Sequence, residues 1–196
     1  MQEKALESVA VTLREPVFRQ LRLGQWVSGS DSWLPFGAWD EVADDERQVE
    51  PGTKIVLGFD GSTSGDSTAL VGCTVEEHPH LFVAGVWEKP EGPAGRSWKV
   101  PRREVSARVH ELFATYDIRE LAADPWGWVS ELEAWAGEHG AKRVISWPTS
   151  YRKRMAPATD RLYGDVMEHR LTHDGNPRLA AHIGNAVAVS TPQGDV

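Results

Sequence analysis

Cysteine is almost absent from this chain of 196 residues, with Cys73 standing alone. A disulfide framework and a thiolate zinc site both need more than one cysteine, so both are excluded; a single thiol inside a β-prone run reads as a buried structural residue. No apolar stretch approaches the ~18 residues that span a bilayer, and the opening Met-Gln-Glu-Lys carries no signal-like apolar core. A cytoplasmic protein is expected. Two catalytic signatures are missing too: no serine sits in a Gly-x-Ser-x-Gly nucleophile elbow, and the seven histidines include no metal-binding His-Glu-x-x-His pair. His169 and His173 stand four apart, which reads as the exposed end of a helix beside the turn Asp174-Gly175. The loop from Gly61 to Ser67 looks like a phosphate cradle but has Asp66 where a Walker-type loop needs lysine, and a strand follows it. Nucleotide binding by that route is excluded.

What is present is apolar substance and unevenly placed charge. With 40% apolar residues and nine tryptophans, the chain can bury one core and carry an extension. Trp126 and Trp128, just after Asp124, read first as packing residues, with walling of a site or stacking on a base as the alternative. The net charge of −8 argues against a nucleic-acid partner, yet residues 142–178 hold eight Lys and Arg against four acids. Arg152, Lys153 and Arg154 within that stretch are candidate DNA contacts, and Arg96, Lys99, Arg102 and Arg103 form a second basic run.

The pattern along the chain changes at Pro51-Gly52. Before it lie Trp26, Trp33, Trp39 and an acidic run, which read as a linker over residues 1–50 whose aromatic residues must bury against something. After it, β-prone runs predict strands at 54–60, 67–75 and 80–88. Val105, Val109, Leu112 and Phe113 then recur at helical spacing, predicting a helix over 102–115. A strand at 119–124, a helix from Val129 closed by Gly140, a strand at 143–147 and helices over 157–171 and 177–187 complete the reading. Three consecutive strands followed by alternating helices and strands describe an α/β mixed sheet with helices on its faces.

Two short apolar runs end on carboxylates: Ile55-Val56-Leu57-Gly58-Phe59-Asp60 and Leu121-Ala122-Ala123-Asp124. Strand-end aspartates are often caps or turn formers. Two of them side by side are also what a divalent-metal phosphoryl-transfer site needs, because such ions take hard oxygen ligands.

The order of these pieces resembles the ribonuclease H-like nuclease domain of tailed-phage terminase large subunits. Gly58-Phe59-Asp60-Gly61-Ser62 and Asp66-Ser67-Thr68-Ala69-Leu70 are similar to that family's first strand and hairpin, and Ala122-Ala123-Asp124-Pro125-Trp126 to its second acidic strand end. Leu171-Thr172-His173-Asp174-Gly175-Asn176-Pro177 and His182-Ile183-Gly184-Asn185-Ala186 resemble its late segment; the stretch from Phe18 to Trp39 resembles the joint to an ATPase domain. The resemblance implies a ribonuclease H-like mixed sheet at 51–196, preceded at 1–50 by the linker from an ATPase domain. It implies an endonuclease cutting concatemeric double-stranded DNA with Mg²⁺ or Mn²⁺, two ions held by Asp60 and Asp124 as catalytic ligands, and Asp66 as an accessory. It further implies the terminase small subunit and the portal as partners, a phage or prophage origin and a host cytoplasmic location. The family's third acid belongs to a last helix with an Ile-Asp motif; Asp165, Asp174 and Asp195 remain here and none has that setting, so the domain is expected to be truncated. Two alternatives stay open: a catalytically impaired remnant acting in DNA binding or assembly, and a sugar-kinase-like ATPase lobe, which would need a second lobe of similar size.

Overall fold

The computed structural model describes residues 32–63, 65–188, 190, 191, 194 and 195. Strand β1 (Lys54–Asp60) buries Ile55, Leu57 and Phe59 and exposes the alternate residues, so its period of two puts Asp60 on the face away from the main core. The Gly/Ser-rich turn returns the chain into β2 (Thr68–Thr74), which pairs antiparallel with β1, and β3 (His80–Trp87) pairs antiparallel with β2. Helix α1 (Arg102–Thr115) buries Val105, Val109 and Leu112, and leads into β4 (Asp117–Ala123), which runs parallel to β1. Helix α2 (Val129–His139) and strand β5 (Val144–Ser146) follow, with β5 parallel to β4.

The six-stranded order is β5-β4-β1-β2-β3-β6, where β6 (Thr172–His173) lies parallel to β3. Helices α1 and α2 close one face over Ile55, Leu57, Phe59, Leu70, Ile118, Leu121, Trp128 and Trp135. The other face is served by α3 (Arg152–Met167), whose Leu162 and Val166 join Leu81 of β3 in a second cluster with Leu34, Trp39, Val42 and Leu171. This is the expected ribonuclease H-like α/β sheet, mixed in direction and flanked by helices on both faces.

Residues 32–44 strap across β6. Trp39 stacks on His173 with ring centroids 4.1 Å apart, and the Asp44 N–H donates to the His173 carbonyl at 2.8 Å. Helix α4 (Pro177–Gly184) is capped by the Asn176 side chain, and β7 (Ser190–Thr191) pairs with β8 (Gly194–Asp195) in a small ribbon.

Three local expectations need correction. Helix α3 begins at Arg152, with Pro157 inside it, rather than at 157, and it ends at Met167 rather than 171. The stop is His169, which takes the left-handed backbone (φ 52°) that glycine usually supplies. The Arg170 N–H then reaches the Asp165 carbonyl and the His169 N–H the Val166 carbonyl, closing the helix as a Schellman motif. In consequence His173 is no helix terminus: it is buried in β6, with Nε2–H donating to the Trp39 carbonyl and Nδ1 accepting from the Gly175 N–H. Helix α4 stops at Gly184, short of Val187, because Val187 is drawn out to bridge Ser32.

Candidate active site at the strand ends

In parallel α/β sheets the carboxyl edge of the strands is where ligands bind, because helices start there and side chains from successive loops converge. Here β1, β4 and β5 present that edge together. Phe59 pairs with Ala123 in register, and the Asp124 N–H donates to the Phe59 carbonyl at 3.0 Å. Asp60 and Asp124 are the next residues of the two strands, so they stand side by side on the edge.

Their environments differ. Asp60 is exposed at the strand end, yet the protein crowded around its carboxyl displaces enough water to push the pKa up, the Asp124 charge pushes it further, and Asp66 adds to this against the opposing Gly61 N–H. At Asp124 burial also raises the pKa, but hydrogen bonds outweigh it. The Thr149 hydroxyl, the Trp126 N–H at 2.9 Å and the Thr149 N–H at 3.0 Å hold that carboxyl below its usual range. Asp124 is therefore a fixed anion, whereas Asp60 faces it with its charge poorly compensated. That arrangement attracts a cation.

The surrounding loops are locked. Trp128 is fully buried, and its Nε1–H donates to the Ser62 carbonyl at 3.0 Å, tying the β1–β2 turn to the segment after Asp124. Arg102 lies over the Trp128 ring at 4.4 Å while donating to the Gly127 carbonyl at 2.7 Å and to Glu131 at 2.6 Å. One guanidinium thus holds the turn 125–128 from above. Trp126, by contrast, is 70% exposed. The two tryptophans divide the alternatives: Trp128 packs, and Trp126 is exposed two residues after Asp124.

Asp66 lines a cleft of about 760 Å³ together with Asp60, Glu88, Glu91 and Lys89, bordered by Val83 of β3 and His182 of α4. Arg152, Lys153 and Arg154 open helix α3 three to five residues after Thr149, and all are exposed. Arg154 lies over the Trp147 ring at 5.3 Å and the Tyr151 ring at 5.8 Å. An acidic centre therefore has a basic flank, and the chain segment that carries the flank is the one that holds Asp124.

The remaining acids are elsewhere. Asp165 pairs with Arg170 at 2.9 Å, and Asp174 accepts the Val83 N–H at 2.7 Å and the Asn176 N–H at 3.0 Å, so both serve structure. The Asp195 side chain lies outside the described residues, as does the segment from Phe18 to residue 31. Among the described residues no third His, Cys, Asp or Glu converges with Asp60 and Asp124 within 4.8 Å. Thr149 is the site residue that the sequence did not disclose; its only signal was a position just past a short strand neighbouring β4.

No family model matches the sequence. It is 33% identical over 198 residues to the Gene 13 protein of Mycobacterium phage L5 and 34% identical over 188 residues to that of Mycobacterium phage D29. These alignments cover 90% and 86% of the chain, which spans about a third of the length of these curated relatives (32% and 31%). Among solved structures it is similar to the HK97 bacteriophage large terminase, with TM-score 0.68 and 22% identity over 97% of this chain and 44% of that one. It is also similar to the large terminase nuclease from thermophilic phage G20c, at TM-score 0.55 and 15% identity over 85% and 87% of the two chains. A second structure of the G20c nuclease, with bound magnesium, gives TM-score 0.56 at 16% identity over 86% and 87% of the chains. The fold of this chain is that of the large terminase nuclease domains.

Proposed function

We propose that this ribonuclease H-like chain is the nuclease part of a phage terminase large subunit, a metal-dependent endonuclease that cuts concatemeric double-stranded DNA. The observation that carries the reading is the pair Asp60 and Asp124, adjacent on parallel strands and mutually repelling. The donor set fits Mg²⁺ or Mn²⁺: two carboxylates of hard oxygen, one of them ionised by three hydrogen bonds and the other disfavoured as an anion unless a cation shares the edge.

Such an ion, when bound, supplies positive charge and Lewis acidity toward a phosphodiester. The chain's own residues do the rest. Asp60 and Asp124 would hold the metal, two ions in this reading, and Asp66 adds negative charge at the cleft. Thr149 orients Asp124 and keeps it ionised. Arg152, Lys153 and Arg154 take the DNA phosphates on the flank, where their charge offsets the acidic centre that would otherwise repel the backbone. The terminase small subunit and the portal are the partners this reading implies, in the cytoplasm of the host. The lack of a third converging acid among the described residues favours a second reading, in which the site binds DNA or assembles but cuts poorly.

The direct test is Mn²⁺ binding followed by the loss of the free-ion electron paramagnetic resonance signal. Wild type should bind with a dissociation constant on the order of 0.1–1 mM, and Asp60→Asn and Asp124→Asn should each weaken it. Equal binding by wild type and the double variant would remove Asp60 and Asp124 from the site.

A further inference from the structure

The opposite end of the sheet carries a group that the strand-end site does not use. Helix α2 runs back from Trp128, beside Asp124, to Gly140, so Glu138 and His139 lie at the far end, where they meet His110 of α1. His110 Nδ1 is 2.8 Å from His139 Nε2 and 3.3 Å from a carboxylate oxygen of Glu138. One ligand atom from each of the three residues falls within 4.8 Å of the others.

A single proton does not satisfy this arrangement. If His110 Nδ1 donates to His139, its N–H is shared with the Glu138 carboxylate; if His139 donates instead, the Nδ1 lone pair faces that carboxylate. Three atoms with lone pairs converge on one point, and an ion there accepts from all three. We propose that His110, Glu138 and His139 form a transition-metal site, for Zn²⁺ or a similar ion, that joins α1 to α2.

Geometry and charge support that class of ion. Metal–nitrogen bonds of about 2.0–2.1 Å at a tetrahedral angle set donor atoms ~3.4 Å apart; the Glu138 to His110 separation is already there, and the two imidazoles need to open by about half an ångström. The His139 ring is held for this by stacking on Phe113, with centroids 3.9 Å apart and planes 1° from parallel. The site occupies the last turn of α2, whose carbonyl end favours positive charge. Arg143, over the other partner of that stack at 5.0 Å from the Phe113 centroid, opposes any cation held by field alone. Selection therefore falls to ions that bond imidazole nitrogen, and Mg²⁺ and Ca²⁺ are disfavoured. Two imidazoles and one carboxylate leave a fourth position to water.

The test is calorimetric titration of the whole chain with Zn²⁺ at pH 7.5, with Co²⁺ absorption as a second readout. The expected result is one Zn²⁺ per chain in an Asp60→Asn, Asp124→Asn background, so that the strand-end site cannot supply it, with tetrahedral Co²⁺ bands. His110→Ala, at a half-exposed position, and Glu138→Gln, at an exposed one, should each weaken binding by roughly tenfold or more. Absence of binding in that background, or binding that His110→Ala and Glu138→Gln leave unchanged in folded protein, would overturn the site.

Discussion

Thr149 donates twice to one carboxylate oxygen of Asp124, through its hydroxyl and through its backbone N–H. The hydroxyl can be removed without disturbing the backbone bond. Thr149→Val should let the Asp124 pKa climb back toward the ordinary aspartate range. Metal-dependent cleavage should fall roughly tenfold, and the acid limb of its pH profile should move to higher pH, because the carboxylate protonates earlier. An unchanged profile would mean that Thr149 does not set the ionisation of Asp124.

Asp60 has the opposite problem: partial loss of water around its carboxyl and the Asp124 charge raise its pKa, so its ionised form is disfavoured in the folded chain, by an amount that solvent at this exposed position reduces. Stability from this residue is fully present below the unfolded pKa and is lost as pH rises through the folded one. Asp60→Asn should therefore raise Tm by roughly 1–3 °C at pH 7 while removing a metal ligand. Added Mn²⁺ should narrow the difference by stabilising wild type more than the variant, as read by thermal melts with and without the ion.

His80 is buried at the start of β3, its Nδ1 bonded to the Thr172 hydroxyl at 2.8 Å and its Nε2 without a hydrogen-bond partner among the described residues. Burial lowers its pKa, and nearby Arg47 acts in the same direction, against Asp44 and Asp174. The unfolded chain binds the proton first, so stability is complete above the unfolded value near 6.5 and declines as pH falls below it. Urea unfolding between pH 7 and 5 should show this slope, and His80→Leu should flatten it.

Gly61 lies where the β1–β2 turn meets Trp128. A Cβ there would overlap the Trp128 indole and come within 2.7 Å of Phe59 Cζ, both packed in the core. Gly61→Ala should cost about 1–3 kcal/mol in chemical denaturation and loosen the bond between the Trp128 indole and Ser62. Wild-type stability in the variant would show that the turn can move freely away from the indole.

The parts of the molecule legible in the sequence were those governed by period. The apolar run from Ile55 to Phe59 disclosed β1 and placed Asp60 at its end, and Val105, Val109 and Leu112 disclosed α1 at its observed bounds; the face on which Asp60 stands came from the structure. The juxtaposition of Asp60 with Asp124 followed from reading both as strand ends of one sheet. The misses came where a tertiary contact replaced a local signal. His169 supplies a left-handed stop without glycine, and β6 is two residues long and exists through its pairing with β3 and the strap at Ala43. His173 looked polar and exposed until Trp39, more than a hundred residues away, covered it. Thr149 bonds a carboxylate 25 residues earlier, a link that no local pattern encodes.

The most direct test of the nuclease reading is conversion of supercoiled plasmid DNA to nicked and linear forms at millimolar Mn²⁺. Wild type should cut, if slowly, with cleavage abolished by EDTA and by Asp60→Asn or Asp124→Asn, and weakened in a rising-salt series more steeply when Arg152, Lys153 and Arg154 are intact than when they are replaced by alanine. Cleavage that survives Asp60→Asn and Asp124→Asn together would contradict the account.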